Sequence, residues 1–170
     1  SAAPDDSRFK EGEEVVTLTL GSFAEKVAAV PEATFPKPPG LSWEQAAAFP
    51  MNYLTALAGL QRRGRLREDE TVLVHGAAGG TGTAAIQVAK SLGARVIGVV
   101  SGDAKEMVAR AAGADEVFRS DGPWKDEVVE FSGGGVDLVF GPVGGERFTD
   151  SLRSLRTEGR VVVVGFSEGS

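Results

Sequence analysis

Thr71-Val-Leu-Val-His75 is an apolar, β-branched run that leads without a break into Gly76-Ala-Ala-Gly-Gly-Thr-Gly82. The first five residues read as a buried strand, the next seven as a tight turn, and the residues after them as a helix. A glycine turn at a helix N-terminus makes a phosphate cradle, because backbone N–H groups converge there and the helix dipole adds partial positive charge. Gly76, Gly79 and Gly82 are spaced three apart. In a strand–turn–helix unit the first permits a sharp turn, the second lets backbone approach a pyrophosphate, and the third lets the helix pack closely on the strand. Any tight strand–helix turn can use glycine, so a lone triplet is weak evidence. Here the strand before it, the helix after it and a second strand at the right distance agree on a dinucleotide site. Gly76, Ala78, Gly79, Gly80, Thr81 and Gly82 are its expected backbone contacts.

Downstream the pattern alternates. Strands are expected at 71–75, 95–100, 116–118, 136–140 and 160–166, with helices near 82–92, 104–112, 123–131 and 145–155. The strands are nearly continuous apolar runs, as in parallel strands covered on both faces. Gly93 and Gly113 suit helix C-termini, and Pro123 suits a first helical position. The implied fold is α/β, a doubly wound parallel (Rossmann) sheet in the order 3-2-1-4-5. Its last strand, from Arg160 to Phe166, would be an apolar edge that seeks a partner, so a homo-oligomer is expected.

Upstream, residues 13–20 and 22–30 alternate and read as two strands around Gly21. Pro31 to Gly40 holds four prolines and reads as an extended connector. Ser42 and Gln45 form a capping-box signature before a short helix. Pro50 is expected to interrupt it, with a second helix from Met51 to Arg63 that stops at Gly64. The expected division is residues 1–40, two strands and a connector, and residues 41–170, a nucleotide-binding domain.

Composition removes several classes of function. The net charge of −6 argues against nucleic-acid binding through a general basic surface. The basic run Arg62, Arg63, Arg65 and Arg67 reads as a solvated helix end. There is no cysteine, so disulfides and thiolate zinc sites are absent, and one histidine cannot build a metal site. No apolar run approaches a membrane span, and no signal peptide is recognisable, so a cytoplasmic setting is expected.

The identity of the dinucleotide turns on the tip of the second strand. Asp103 lies where a ribose-binding acid that selects NAD is expected. Asp103-Ala-Lys-Glu106 equally fits a capping box, which would occupy that carboxylate. Ser101 and Lys105 would then receive a 2′-phosphate, and NADP is the favoured cofactor. Arg119 is a weaker candidate for the same phosphate.

With these residues in hand, the chain resembles the medium-chain dehydrogenase/reductase superfamily, and in particular its zinc-free quinone oxidoreductase branch. The resemblance is carried by Arg8-Phe-Lys-Glu-Gly-Glu-Glu-Val15, Gly21-Ser-Phe-Ala-Glu25, Leu41-Ser-Trp-Glu-Gln-Ala-Ala-Ala-Phe-Pro50 and Tyr53-Leu-Thr-Ala56. It continues through His75–Gly82, Gly113-Ala-Asp115, Val143-Gly-Gly145 and Gly159-Arg160, in order and at the usual separations. It implies NADPH-dependent hydride transfer to a quinone or enone, a small conjugated carbonyl substrate. It also implies that Asn52, Thr55, Val143, Gly165 and Phe166 neighbour the nicotinamide. Zinc-dependent members usually carry a cysteine four residues before the helix threonine, where this chain has Met51. Many members carry an acid before Pro142, where this chain has Gly141, and an aromatic residue where it has Ser120. His75 is expected to be packed and hydrogen-bonded rather than an acid. No catalytic or metal-binding residue is assigned. The resemblance further implies that the chain is a piece of a longer protein, with residues 1–40 from an incomplete β-rich catalytic lobe and residues 41–170 a nucleotide-binding domain lacking its last strand, and that by itself it is inactive toward substrate. The alternatives are an enoyl-reductase domain of a polyketide or fatty-acid synthase, and a non-catalytic NADPH-binding protein.

Overall fold

The computed structural model describes residues 8–141 and 145–165, with side chains left out at 145 and 146. Val143 and Phe166 lie outside the described residues. The chain forms two compact units, Ser1–Met51 and Asn52–Ser170.

In the first unit, β1 (Val15–Thr17) pairs antiparallel with β2 (Thr34–Pro36), Val16 opposite Phe35. The strand expected at 22–30 does not form, and that at 13–20 shortens to β1. The physical reason is burial: Leu20 and Phe23 are almost wholly exposed, so the alternation has no covered face to commit to. The partner strand comes instead from the proline-rich stretch expected to be a connector. A 3₁₀ turn at Pro31–Ala33 redirects the chain, and Thr34 Oγ1 donates to Val30 O at 2.8 Å. Pro36 is tolerated because a two-stranded ribbon has only edges.

Helix α1 (Trp43–Leu57) spans the division between the units. The capping box is formed: Gln45 N–H donates to Ser42 Oγ at 3.2 Å and Ser42 N–H to Gln45 Oε1 at 2.9 Å. Pro50 does not interrupt the helix. It removes one ladder bond and crowds the preceding turn, at about 3 kcal/mol, and burial of Ala56 and Leu60 further on holds the helix together. The chain then widens into a π turn at Ala58–Arg63, closed by Gly64 N–H to Gly59 O at 2.7 Å. Gly59 and Gly64 lie so close to Phe140 and Leu138 that a Cβ would come within 2.5 and 2.7 Å.

The rest is the doubly wound sheet: β3 (Thr71–His75), α2 (Gly80–Ser91), β4 (Arg95–Val100), α3 (Asp103–Ala111), β5 (Glu116–Arg119), α4 (Trp124–Ser132), β6 (Val136–Gly141), α5 (Gly145–Arg153) and β7 (Leu155–Val163). All five strands are parallel, in the order β5-β4-β3-β6-β7. Side chains alternate between faces as the pleat requires. Val72, Val74, Val96, Leu138 and Phe140 enter one core with α2 and Ala109. Leu73, Ile97, Val99 and Val139 enter the other with Trp124 and Val128.

Pro123 is the N-cap of α4 rather than its first residue. Strand β7 starts five residues earlier than its apolar run suggests and ends at Val163. Leu155 pairs with Val136 while Arg160 pairs with Leu138, so residues 156–159 bulge out, with Glu158 at φ 64°. At the opposite end of the sheet from the glycine turn, Thr71 N–H donates to Asp137 Oδ2 at 2.7 Å, and Arg156 pairs with Asp137 at 3.0 Å.

Candidate functional site

The glycine turn begins where β3 ends. Gly76 has φ +59°, which an L side chain rarely adopts, and its carbonyl accepts Gly79 N–H at 2.9 Å. Gly79 is the N-cap of α2. Gly82 is buried, and a Cβ there would lie 2.2 Å from Gly76 O, so only glycine permits this separation of helix and strand. Gly76, Gly79 and Gly80 are exposed, leaving the backbone at the helix N-terminus open to a ligand.

A cleft of about 360 Å³ opens over this turn, lined by Gly76, Ala78 and Gly79. Its far wall comes from the ends of β4 and β5: Val99, Val100, Ser101, Lys105 and Ser120. Lys105 Nζ donates to Ser101 Oγ at 2.8 Å, one helical turn apart. The structure thus brings together three turn residues with both side chains singled out for a 2′-phosphate.

Asp103 does not cap α3. Gly102 is the N-cap, with no side-chain cap, and the Asp103 carboxylate pairs with Arg119. Arg119 also reaches Asp121 at 3.2 Å. Neither Asp103 nor Arg119 lines the cleft. An arginine within reach made the ion pair available to Asp103 in place of the local cap.

Asn52 and Thr55 sit outside this cleft. Asn52 Oδ1 accepts Thr81 Oγ1–H at 3.0 Å, and a Cβ on Gly80 would lie 2.9 Å from the Asn52 side chain, so α1 packs on the first turn of α2. Gly165 lies beyond β7 with φ +103°.

Among the lining residues to which the sequence assigned no ligand role, two carry ionisable side chains, His75 and Arg147. Ser151 donates its one hydroxyl proton to Arg147 O at 2.7 Å, so at 2.8 Å it accepts from His75 Nε2–H. Burial, reinforced by the Arg147 charge, pushes the His75 pKa down to about 4. His75 is therefore a neutral, packed imidazole at neutral pH, edge-on to Trp124 at 5.1 Å. Gly141 belongs with it: φ is +150°, and a Cβ would lie 2.9 Å from His75 Cβ. An acid at 141 has no room beside this histidine. For Arg147, the available signal was its place in the first turn of the helix after the fourth sheet strand, at the carboxyl edge where ligands bind.

Fold and glycine turn define a Rossmann-type nucleotide-binding domain. The family described as zinc-binding dehydrogenase matches residues 80–170, and the chain belongs to that family, within the medium-chain dehydrogenase/reductase superfamily of oxidoreductases. It is similar to quinone oxidoreductase-like protein 2 of Rattus norvegicus, 39% identical over 99% of this chain and 49% of that protein. It is also similar to the spectinabilin polyketide synthase system protein NorB of Streptomyces orinoci, 40% identical over 95% of this chain and 8% of that protein. Among solved structures, the quinone oxidoreductase of Thermus thermophilus, determined with its NADPH complex, superposes with a TM-score of 0.80. It is 40% identical, covering 91% of this chain and 51% of that one. The chain spans about half the length of the quinone oxidoreductase relatives it matches.

The zinc in the family's description does not fit the residues of this chain. There is no cysteine and one histidine, which is bonded to Ser151. Among the described residues no group of three His, Cys, Asp or Glu is placed to hold a metal ion. Also among them, no helix is long and apolar enough to cross a membrane.

Proposed function

We propose that this chain is the cofactor-binding part of an NADPH-dependent reductase acting on a quinone or enone. One observation carries the reading: the exposed glycine turn and the Ser101–Lys105 pair open into one cleft that no carboxylate side chain lines among the described residues. The residues present suit a dinucleotide, since the turn is built so tightly that a Cβ at Gly82 has no space. When bound, the dihydronicotinamide supplies a hydride to an electron-poor carbon of the substrate.

The protein's part is binding and orientation. The turn backbone and the α2 N-terminus hold the diphosphate, with Gly76, Ala78, Gly79, Gly80, Thr81 and Gly82 in contact. Lys105 Nζ and Ser101 Oγ hold the 2′-phosphate, at the end of β4 where the ribose falls. Asp103, committed to Arg119, leaves the ribose pocket without an acid to repel that phosphate. Asn52, Thr55 and Gly165 would neighbour the nicotinamide, as the resemblance implies. The resemblance to the NorB polyketide synthase protein supports a second reading, a reductase domain that acts on enoyl groups within such a synthase.

Fluorescence titration with NADPH and NADH tests the cofactor assignment. NADPH should bind more tightly, and Lys105→Ala should remove about 10–100-fold of affinity for NADPH alone. Equal wild-type affinities would refute the 2′-phosphate site.

A further inference from the structure

We infer that Arg147 is a second phosphate-binding cation of the cleft, gripping the diphosphate of the dinucleotide while Lys105 reads its 2′-phosphate. This rests on the dinucleotide reading above and adds to it a residue from the other side of the sheet's central crevice.

The topology separates the two cations. Along the carboxyl edge the strands run β5, β4, β3, β6. Ser120 follows β5, Ser101 and Lys105 follow β4, Gly76 follows β3, and Arg147 stands in the first turn of α5, after β6. Arg147 thus approaches from the glycine-turn side, opposite Lys105. Its charge acts on His75, the residue immediately before Gly76, and contributes to the low pKa of that imidazole.

Its backbone is anchored for the purpose. His75 Nε2–H to Ser151 Oγ at 2.8 Å and Ser151 O–H to Arg147 O at 2.7 Å tie the start of α5 to the end of β3. The glycine turn and the backbone of Arg147 are therefore held on one support. Charge points the same way. In a chain with 24 acidic and 18 basic residues, this cleft contains Lys105 and Arg147 and, among the described residues, no lining carboxylate. A cavity that presents two cations and, among its described lining, no carboxylate favours a multiply charged anion. A diphosphate and a 2′-phosphate are such anions, and a planar guanidinium suits the bidentate grip on the former.

NADPH and NADH share the diphosphate and differ only in the 2′-phosphate, so affinity for the pair separates the two roles. Arg147→Gln should weaken NADPH and NADH alike, by about tenfold, leaving their ratio unchanged, whereas Lys105→Ala should change the ratio. Arg147→Lys should recover part of the loss for both nucleotides, and each variant's thermal midpoint checks that it is folded. Unchanged affinity for both nucleotides in Arg147→Gln, or a loss confined to NADPH, would overturn the assignment. Failure of the wild type to bind either nucleotide would overturn the dinucleotide reading itself and this role with it.

Discussion

Replacing Gly82 with alanine should damage the fold, whereas the same change at Gly79 should damage only binding. At Gly82 the new methyl group would lie 2.2 Å from Gly76 O and 2.9 Å from Ala77 Cα. An ordinary carbon–oxygen contact is about 3.3 Å, so roughly 1 Å of separation must be found. Both obstacles are backbone, and Gly76 O is already held by Gly79 N–H. Helix α2 must therefore move away from β3, loosening the buried Ala84, Ala85 and Ala89. Overpacking of this kind costs about 3 kcal/mol at the upper end of its usual range, and alanine's better helix propensity returns about 1 kcal/mol. A net loss of about 2 kcal/mol lowers the thermal midpoint by roughly 4–8 °C for a chain of this size. At Gly79 the backbone is extended, φ −77° and ψ 168°, and the sole near neighbour is Gly76 O at 3.3 Å. Gly79→Ala should keep its midpoint within about 2 °C yet lose about tenfold or more in NADPH affinity, because the methyl group occupies the approach to the diphosphate. Circular dichroism melts and nucleotide titration of both variants separate the roles. An unchanged midpoint in Gly82→Ala would refute the packing argument, and unchanged NADPH affinity in Gly79→Ala would refute the cradle.

Two further outcomes follow from His75. Its folded-state pKa of about 4 lies below the ordinary 6.5, first through burial and then through Arg147, so the native state resists a proton that the unfolded chain accepts. Its contribution to stability is complete above pH 6.5 and declines as pH falls toward 4, by about 2 kcal/mol between pH 6.5 and 5. The chain has no other histidine, so urea unfolding of the wild type should show this slope and His75→Gln should not. A flat wild-type profile would contradict the buried neutral imidazole. At the neighbouring position, Gly141→Asp should cost about 2–3 kcal/mol in the same assay, combining an unfavourable φ with collision against His75. A variant as stable as the wild type would show that the histidine does not exclude a side chain there.

The central sheet was legible because its determinants are local. Apolar runs such as Val72–Val74 and, broken only by Asp137, Val136–Phe140, punctuated by Gly93 and Gly113, specify parallel strands and helix ends within a few residues. The Ser42–Gln45 cap was legible for the same reason. Residues 22–30 were misleading because alternation describes a strand only if a covered face exists, and none covers Phe23. The bulge in β7 was hidden because the apolar run begins after Gly159, while pairing with Val136 starts at Leu155.

For the site, the sequence by itself determined the glycine turn and the spacing that brings Lys105 to Ser101, since each lies within one turn of chain. Only tertiary structure decided that Asp103 belongs to Arg119, that Gly141 makes room for His75, and that His75 holds Ser151 and through it Arg147. His75 and Ser151 stand 76 residues apart, and their meeting depends on α5 packing back beside the end of β3. Periodicity and turn chemistry act over a few residues, whereas a shared cleft and the charge within it exist only once distant segments are brought to the same edge of the sheet.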